Sequence, residues 1–325
     1  MIVEENTQQM VVPHRTIVKQ SPNPFIEANT TEVDLEHLKN DCIIPVFSKD
    51  NESTISHYQF ITKTLSAVRK MHPDVTILKP KVRVSHTIKG RVPSAIGKPV
   101  KELLNEEKTI YYERCAFVIE LPEYTRTING CELKMSIGGV RAYNQENLYS
   151  KKSPEKFKIF VGFQNKVCTN LCISTDGFSD NIKLTTIDEL GIQIVKLLTT
   201  YDMDRQVSEM TKFQSYVLNE TQFAHFVGKL RMWCHLEKEE RRDKFAIALS
   251  DSQINKVIKD YYTCPNFKRS DDGSIDLWRL YNLFTEANKS TYIDKSLERN
   301  VNAYELTQNL ANAIETKQFN WFLNN

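Results

Sequence analysis

Long hydrophobic segments are missing from this sequence. None of its 325 residues belongs to a run of 18 apolar residues, the length that a membrane-spanning helix requires. The first fifteen residues contain Glu4 and Glu5 and no apolar stretch of the kind found in secretory signals. We therefore expect a cytoplasmic protein that neither crosses nor contacts a membrane.

A disulfide framework is not indicated either, because the seven cysteines are odd in number and lie far apart in the chain. Free thiols in a reducing compartment explain this pattern better. Cys168 and Cys172 are four residues apart, but no histidine or second cysteine pair lies nearby at the spacing of a zinc site. The sequence therefore predicts neither a disulfide nor a bound metal. The cysteines are Cys42, Cys115, Cys131, Cys168, Cys172, Cys234 and Cys264.

Signatures of catalysis are absent as well. The sequence contains no G-x-S-x-G nucleophile elbow and no phosphate-binding G-x-x-x-x-G-K-[ST] loop. Gly138 and Gly139 stand alone, and a bulge or tight turn explains them better than close approach of a ligand. The run that begins at Asp271 resembles part of a calcium loop but is too short, so Asp276 is interpreted as a helix N-cap. We expect no cofactor, and a non-enzymatic role is favoured.

The net charge is small, but positive charge is concentrated in one segment. The formal net charge is only +2, yet residues 61–101 contain ten Lys or Arg residues and a single acid, Asp74. Such a cluster attracts polyanions, since each phosphate that it neutralises releases counterions. The alternative is a solvated face whose acidic complement lies elsewhere in the fold. The ten residues are Lys63, Arg69, Lys70, Lys79, Lys81, Arg83, Lys89, Arg91, Lys98 and Lys101.

Lysine and phenylalanine are interleaved in a second basic segment, residues 150–163. In a strand, Lys156 and Lys158 would lie on one face, while Phe157 and Ile159 would lie on the other. A basic strand beside exposed aromatic rings is typical of single-strand binders. The alternative is a sheet that packs its apolar face on helices and turns its lysines to water. The candidate nucleic-acid-binding residues are Lys79, Lys81, Arg83, Lys89, Arg91, Lys151, Lys152, Lys156 and Lys158.

Periodicity predicts an α+β fold, with a β-rich antiparallel sheet in the N-terminal half and an α-helical C-terminal half. Strand patterns lie between residues 77 and 175, and Asn129-Gly130 between two of them indicates a hairpin. We divide the chain into a mobile arm (1–24), a β-rich domain or subdomain with the basic segment (25–180) and a helical subdomain (181–325). The main predicted helices span 54–68, 187–199, 204–218, 221–235, 252–262, 276–287 and 303–316.

Three longer motifs carry a family resemblance. They are Phe25-Ile-Glu-Ala-Asn-Thr, Asn40-Asp-Cys-Ile-Ile-Pro-Val-Phe-Ser-Lys-Asp-Asn-Glu and Gly138-Gly-Val-Arg-Ala-Tyr-Asn-Gln-Glu-Asn-Leu-Tyr-Ser-Lys-Lys. Through them the chain closely resembles a family from gut Bacteroidales, domain of unknown function 3871, from about residue 25 to its end. The resemblance supplies no activity, substrate or catalytic residue.

A more distant similarity connects the chain to phage- and plasmid-related proteins. Their pattern is an asparagine, a strand of the type F-R-V-G-F, then V-x-C-x-N-x-L, and later a tryptophan-containing helix that ends in Y-N-x-x-T. The chain matches it with Asn144, 157–163, 167–171 and 276–285. It departs in having Lys158 where arginine is frequent and in lacking a D-G-S run after Asn144. The similarity implies a mobile-element context and a cytoplasmic protein.

The motifs of the distant similarity place asparagines among apolar residues. Asn170 lies in an apolar strand pattern, and Asn282 lies at the border of a predicted buried helix face. A buried amide must find hydrogen-bond partners. In one interpretation, each asparagine ties a neighbouring loop in place. The other interpretation is a single ligand site formed by Arg141, Asn144, Asn170, Trp278 and Asn282.

These patterns favour a non-enzymatic nucleic-acid-binding accessory protein of mobile genetic elements, acting in replication, recombination or evasion of host defence. Single-stranded DNA is the favoured partner, because a basic strand with aromatic neighbours suits single strands. The first alternative is an interaction module that binds a host protein. The second is an enzyme with a site around Asn144, Asn170 and Asn282.

The odd cysteine count generates a first prediction. Titration of the denatured protein with a thiol reagent, in the absence of reductant, should find close to seven thiols per chain. Protein that has been reduced and then desalted is the control and should give the same number. A clearly lower number in the untreated sample would reveal a disulfide or a metal-bound thiol.

Overall fold

A computed structural model describes residues 21–42, 44, 54–146 and 154–324. Within these ranges the strands of the main sheet lie in the first part of the chain and most of the helices follow them, and the predicted α+β fold is confirmed. The strands are β1 (Thr31–Val33), β2 (Lys81–Val84), β3 (Thr87–Arg91), β4 (Lys108–Tyr112), β5 (Arg114–Ile128), β6 (Cys131–Ala142), β7 (Glu155–Asn165), β8 (Leu171–Cys172), β9 (Phe178–Leu184), β10 (Val217–Leu218) and β11 (Ile275–Asp276). The α-helices are α1 (Leu35–Asn40), α2 (His57–Met71), α3 (Ile187–Thr200), α4 (Met203–Phe213), α5 (Glu220–His235), α6 (Lys238–Arg241), α7 (Asp251–Thr263), α8 (Leu277–Asn288) and α9 (Ile293–Thr316).

The main sheet is antiparallel and has the strand order β1-β2-β5-β6-β7-β8, with β9 also paired to β7. Its longest pair is the β5–β6 hairpin, which turns at Asn129 and Gly130. Both turn residues have positive φ, 47° and 75°. An Asn-Gly pair accepts this geometry, which suits the twist of a two-residue hairpin. The predicted hairpin is confirmed, and β3 and β4 form a second, separate hairpin.

Both faces of the main sheet are covered, and this explains why its central strands are apolar without clear alternation. On one face, Phe117 and Ile137 belong to the larger core, which also contains residues of α2, α3, α4, α5, α7 and α8. On the opposite face, Val118 and Phe160 pack with the first turns of α9. The sheet is therefore a central layer between helices.

Helix α8 is buried on almost all sides, with Arg279 and Glu286 its two half-exposed side chains. Asp276 caps the helix as predicted, because its carboxylate accepts a hydrogen bond from the backbone N–H of Arg279 at 2.8 Å. Asn282 consequently lies inside the core rather than at the border of a buried face. The single apolar stripe predicted for this helix underestimates its burial.

Two predicted helix bounds differ from the structure by five residues or more. The helix predicted over 204–218 ends at Phe213, and the segment after it forms β10, which pairs with β11. The helix predicted over 303–316 already begins at Ile293. In both cases contacts with distant parts of the chain override the local pattern.

The larger core joins the two halves of the chain. It contains Phe117 from the β-rich half together with Phe226 and Phe284 from the helical half. The boundary that we placed near residue 180 falls within β9. Residues 1–20 of the predicted arm lie outside the described part of the chain.

Two observations on the described residues bear on the expectations from composition. No helix there combines the length and the apolar character needed to cross a membrane. All seven cysteines lie in the described ranges, and each is a free thiol. The fold is therefore held by packing and hydrogen bonds, without disulfides between these residues.

Two adjacent glycines allow close packing around β6. A side chain at Gly138 would overlap the carbonyl oxygen of Phe117 and the ring of Phe160. A side chain at Gly139 would overlap the ring of Phe60 on α2. Neither glycine lies at a bulge or turn, since the pairing of β6 with β5 and β7 is regular there. The favoured interpretation of this pair as a bulge or turn is therefore wrong.

The crowding at Gly138 predicts a large loss of stability for Gly138→Ala. We expect the free energy of unfolding to fall by about 3 kcal/mol or more, because the clash involves the backbone of a neighbouring strand. Gly228→Ala is the matched control in α5, where a Cβ meets no atom within 4 Å, and it should stabilise by about 0.5–1 kcal/mol. Urea denaturation measures both values, and a Gly138→Ala protein as stable as the wild type would contradict the packing role.

Candidate functional site

Five of the ten basic residues in the segment 61–101 form ion pairs with carboxylates. Paired cations contribute little to a long-range positive field, because each partner cancels one charge. The acidic complement expected under the alternative interpretation thus exists for half of the segment. The pairs are Lys63–Asp188, Lys79–Asp34, Lys81–Glu120, Arg83–Glu32 and Lys98–Glu107.

The remaining cations of the segment fall into two groups. Lys89 and Lys101 are exposed on the β3–β4 hairpin, where the described residues offer neither of them a carboxylate partner. Arg91, on the same hairpin, donates a hydrogen bond to the carbonyl oxygen of Lys98. Arg69 and Lys70 are exposed in the last turn of α2. The structure therefore divides the basic segment instead of presenting it as one surface.

The lysines of β7 do not form a solvent-facing row. Lys158 is buried, and its ammonium group donates to the backbone oxygen of Asp294 at 2.7 Å and to the carboxylate of Glu298. The predicted alternation itself holds, since Phe157 and Ile159 belong to the larger core and Lys158 lies on the opposite face, but α9 covers that opposite face. The predicted exposed lysine face is wrong for Lys158. Lys156 is half-buried, and Lys151 and Lys152 lie outside the described residues.

A groove of about 400 Å³ lies beside the β3–β4 hairpin. His86 reaches it from the link between β2 and β3, Arg114 from the start of β5, and Tyr292 from the residue before α9. The ring of Tyr292 is 61% exposed. The remaining lining residues are Ala28, Asn29, Thr30, Ser85 and Ile293.

Arg114 is held in this groove by two carboxylates. Its Nη1 is 2.8 Å from Glu113, and its Nε is 3.4 Å from Asp294. The Nε atom is buried and makes no hydrogen bond to any described residue. His86 lies 3.9 Å from the same Glu113 carboxylate and has an exposed side chain. The groove therefore combines an aromatic ring and an arginine with an unused donor, together with two acids that moderate its positive charge.

Arg141 lies in a buried ionic cluster at the end of β6. Its guanidinium contacts the carboxylates of Glu146 and Glu155 and donates to the backbone oxygen of Ile55. The rings of Tyr143 and Phe157 lie 4.6 and 4.4 Å from it. All polar groups of the guanidinium are thus turned towards protein partners. The role of Arg141 is to connect β6, β7 and the segment before α2.

His57 is buried beside this cluster. Its Nε2–H donates to the backbone oxygen of Tyr112 at 2.8 Å, and its ring stacks on Tyr143 with centroids 4.5 Å apart. Its Nδ1 has no hydrogen-bond partner among the described residues. Burial, with a smaller contribution from the charge of Arg141, lowers the pKa of His57 to about 3. The imidazole is therefore neutral at physiological pH.

The asparagines of the sequence motifs form a structural network. Asn170 donates to the backbone oxygen of Asn282 at 3.0 Å, and Asn282 donates to that of Trp278 at 2.9 Å. Asn165, which sequence reasoning missed, donates to the side-chain oxygen of Asn282 at 3.2 Å. All four residues are buried. The network connects the end of β7 and the start of β8 to helix α8.

Asn144 does not belong to this network. It is exposed in the turn after β6, three residues from Arg141, whose guanidinium contacts Glu155, the first residue of β7; Asn165 is the last residue of that strand. An eleven-residue strand has a length of about 33 Å, so Asn144 and Arg141 lie far from Asn170. The five residues of the predicted ligand site therefore do not converge on one pocket.

The network joins the residues around V-x-C-x-N-x-L to the tryptophan-containing helix, so motifs that are distant in sequence form one unit. A family model described as "Domain of unknown function, B. Theta Gene description (DUF3871)" matches residues 5–323. The chain belongs to this DUF3871 family. No curated protein and no solved structure matches it.

Cys42 of this DUF3871 protein lies near an imidazole, a contact that the sequence did not indicate. His37 Nδ1 is 2.7 Å from the carboxylate of Asp41, and Nε2 is 2.9 Å from the Tyr112 hydroxyl and 3.8 Å from Cys42 Sγ. Burial, with a smaller contribution from Asp41, raises the pKa of the Cys42 thiol to about 12. The thiol is therefore protonated at neutral pH and poorly suited to nucleophilic attack.

Sequence reasoning also missed the groove. The strand pattern around His86 indicates a structural histidine, and no local pattern marks Arg114 or Tyr292. The three residues come from separate parts of the chain, and only the exposed position of Tyr292 distinguishes it from the many buried tyrosines. Within the described ranges, no cluster of three or more His, Cys, Asp or Glu side chains is suited to hold a metal ion.

The lowered pKa of His57 predicts a specific pH dependence of stability. Between about pH 6.5, the pKa in the unfolded chain, and the folded-state value of about 3, the unfolded state binds a proton that the folded state does not. This contribution to the free energy of unfolding is therefore complete above about pH 6.5 and falls by up to about 1.4 kcal/mol per pH unit as the pH drops. His57→Gln should lose stability less steeply between about pH 6 and 4.

Urea denaturation at several pH values checks this prediction. His86→Gln is the matched control, because the His86 side chain is 65% exposed, and it should keep the wild-type slope. An identical slope in His57→Gln and the wild type would show that His57 does not titrate as its burial demands.

Proposed function

We propose that this protein is a non-enzymatic nucleic-acid-binding accessory protein of mobile genetic elements, with single-stranded DNA as its favoured partner. The observation that carries the proposal is the groove of about 400 Å³ in which Tyr292, Arg114 and His86 lie together. It is continuous in sequence with the β3–β4 hairpin, which carries Lys89 and Arg91. The groove thus lies beside part of the basic segment predicted from the sequence.

The chemistry of the groove suits a single strand. A nucleobase can stack on the exposed ring of Tyr292, a contact worth about 1–3 kcal/mol that is tolerant of base type. Arg114 supplies a guanidinium group for a phosphate. Lys89 and Lys101 are exposed on the neighbouring hairpin and extend the positive field. Stacking and charge without base-edge recognition favour binding that depends little on sequence.

The acids of the groove limit its affinity. Because Glu113 and Asp294 already hold Arg114, a phosphate must compete with them for the guanidinium. Such competition predicts modest affinity that weakens strongly with salt. The mobile-element context rests on the distant similarity of the segments 157–163 and 276–285 to phage- and plasmid-related proteins.

Tyr292→Ala tests the proposal most directly. It should weaken binding of a fluorescently labelled single-stranded oligonucleotide at least about fivefold, because a stacking contact is lost. Tyr262→Ala is the matched control: Tyr262 is a 51% exposed tyrosine on α7, and its removal should leave the affinity unchanged. Fluorescence anisotropy at fixed salt gives both dissociation constants, and equal effects of the two substitutions would exclude the groove as the binding surface.

The same assay, repeated over a series of salt concentrations, tests whether the lysines of the β3–β4 hairpin contact phosphates. Lys89→Gln and Lys101→Gln should each reduce the slope of log affinity against log salt by about 0.7, the value for one phosphate contact on a single strand. Lys259→Gln, which removes an exposed cation from α7, should leave the slope unchanged. Absence of oligonucleotide binding by the wild type would exclude the proposed function altogether.

The connection between β3 and β4 favours a second candidate function, binding of a host protein. Ile96, Val100 and Leu104 are 57%, 70% and 56% exposed there, and exposed apolar side chains close together are typical of protein interfaces.

Replacing all three with serine should abolish binding to a host protein while leaving oligonucleotide affinity intact. Cross-linking through Lys98 and Lys101, followed by mass spectrometry, identifies such a partner.

A further inference from the structure

Arg83 has a donor that no described residue uses. The residue is only 5% exposed on β2. Its Nε donates to the Thr30 hydroxyl at 2.7 Å, and its Nη2 donates to the Thr30 backbone oxygen at 2.8 Å. Its Nη1 makes no hydrogen bond to the described part of the chain. The nearest carboxylate, that of Glu32, is 3.8 Å away, which is too long for a hydrogen bond.

Arg83 lines a cavity of about 80 Å³. Glu32, whose carboxylate lies 3.8 Å from Nη1, lines the same cavity, whereas Thr30, which accepts hydrogen bonds from Nε and Nη2, does not. Since one water needs about 10–15 Å³, the space is sufficient for an ion of about five heavy atoms. The other polar lining residues used below are Lys81, Gln164 and Thr169.

A second cation lies beside Arg83 on the same strand face. Lys81 and Arg83 are two residues apart on β2, so their side chains leave the sheet on the same side. Lys81 contacts Glu120, but its side chain remains 48% exposed, so its ammonium group is able to turn towards the cavity. Glu120 is also within 3.9 Å of Lys134 and therefore keeps a cationic neighbour if Lys81 turns away.

One of the residues that line the cavity has a strained backbone. Thr169 has a φ of +59°, a conformation that β-branched side chains rarely adopt. Its hydroxyl is used locally, since it lies 2.6 Å from the Cys168 carbonyl oxygen and 3.1 Å from that of Asn23. Strained backbone of this kind persists where the surrounding structure requires one particular shape. Here Thr169 forms part of the cavity lining.

We propose that this cavity binds a small oxyanion of the size of phosphate, with Arg83 Nη1 as its buried donor and Lys81 as its solvent-side cation. An arginine already fixed through two of its nitrogens is preorganised to bind an oxyanion with the third. Glu32 also lines the cavity, and its negative charge favours a singly charged anion, such as dihydrogen phosphate, over one with higher charge. The inference does not depend on nucleic-acid binding, because inorganic phosphate alone is sufficient to test it.

The phosphate group has two possible sources, free phosphate or the end of a nucleic-acid strand. Thr30 holds Arg83 and also lines the groove of Tyr292, so the cavity and the groove are neighbours across one side chain. A strand that stacks in the groove could place a terminal phosphate on Arg83. The two sources share the same chemistry and are separated by the choice of probe.

Isothermal titration of the full-length protein with inorganic phosphate tests the proposal. The wild type should bind one phosphate per chain, and Arg83→Lys should weaken this binding at least about tenfold, because a lysine cannot bond Thr30 and the anion together. Lys81→Gln should weaken it by a smaller factor. Lys79→Gln is the matched control: Lys79 is a 71% exposed neighbour that pairs with Asp34, and its replacement should leave phosphate binding unchanged.

Three outcomes would overturn the proposal: no phosphate binding by the wild type, equal binding by wild type and Arg83→Lys, or equal losses in Lys81→Gln and Lys79→Gln. Circular dichroism shows whether Arg83→Lys is folded. If that variant unfolds, Lys81→Gln against Lys79→Gln decides the result, because neither lysine is buried.

Oligonucleotides with and without a 5′ phosphate then separate the two sources. Tighter binding of the phosphorylated strand by the wild type, and not by Arg83→Lys, supports the site with a strand end as its ligand. Phosphate binding without any oligonucleotide binding supports the site as one for free phosphate and excludes only the nucleic-acid function.

Discussion

The buried charge of Arg141 is the constraint on which the β-rich half depends. A guanidinium removed from water is costly unless carboxylates and backbone acceptors surround it. Glu155 supplies a carboxylate from the first residue of β7, and it also accepts the backbone N–H of Ile55 just before α2. Glu146 completes the group from the turn after β6. Because removal of one member would leave the others buried and unpaired, the sheet, the turn and the start of α2 form as one cooperative unit.

A second polar network performs the corresponding role at the other end of β7. Asn282 lies inside an otherwise apolar core, where it receives a bond from Asn165 and provides its backbone oxygen to Asn170. Buried polar groups of this kind specify one arrangement, since any shift of α8 against the sheet would break their hydrogen bonds. The two networks thus define how β7 meets its surroundings at both ends. Most polar residues of the sequence motifs are used in this scaffold.

The proposed binding surface is consequently built from residues outside the scaffold networks. Tyr292, Arg114 and His86 meet at one end of the neighbouring strands β2 and β5, where α9 also begins. Tyr292 and His86 are exposed and Arg114 is half-buried, and no sequence pattern connects the three. Next to them, Arg83 shows the opposite situation: it is buried, as a structural residue would be, yet it lines a cavity and keeps one donor that no described residue uses. Groove and cavity are neighbours because Thr30 lines the groove and also holds Arg83.

The sequence by itself determined the features that depend on near neighbours. The α+β order, the Asn129-Gly130 hairpin and the Asp276 cap follow from periodicity and turn chemistry within a few residues. Only the tertiary structure decided which charges are free, because Lys158 meets Glu298 from a helix 140 positions later in the chain. The same holds for the groove and for Arg83. Burial and ion pairing depend on packing between distant segments, and a local pattern contains no information about which carboxylate or ring will face a given side chain.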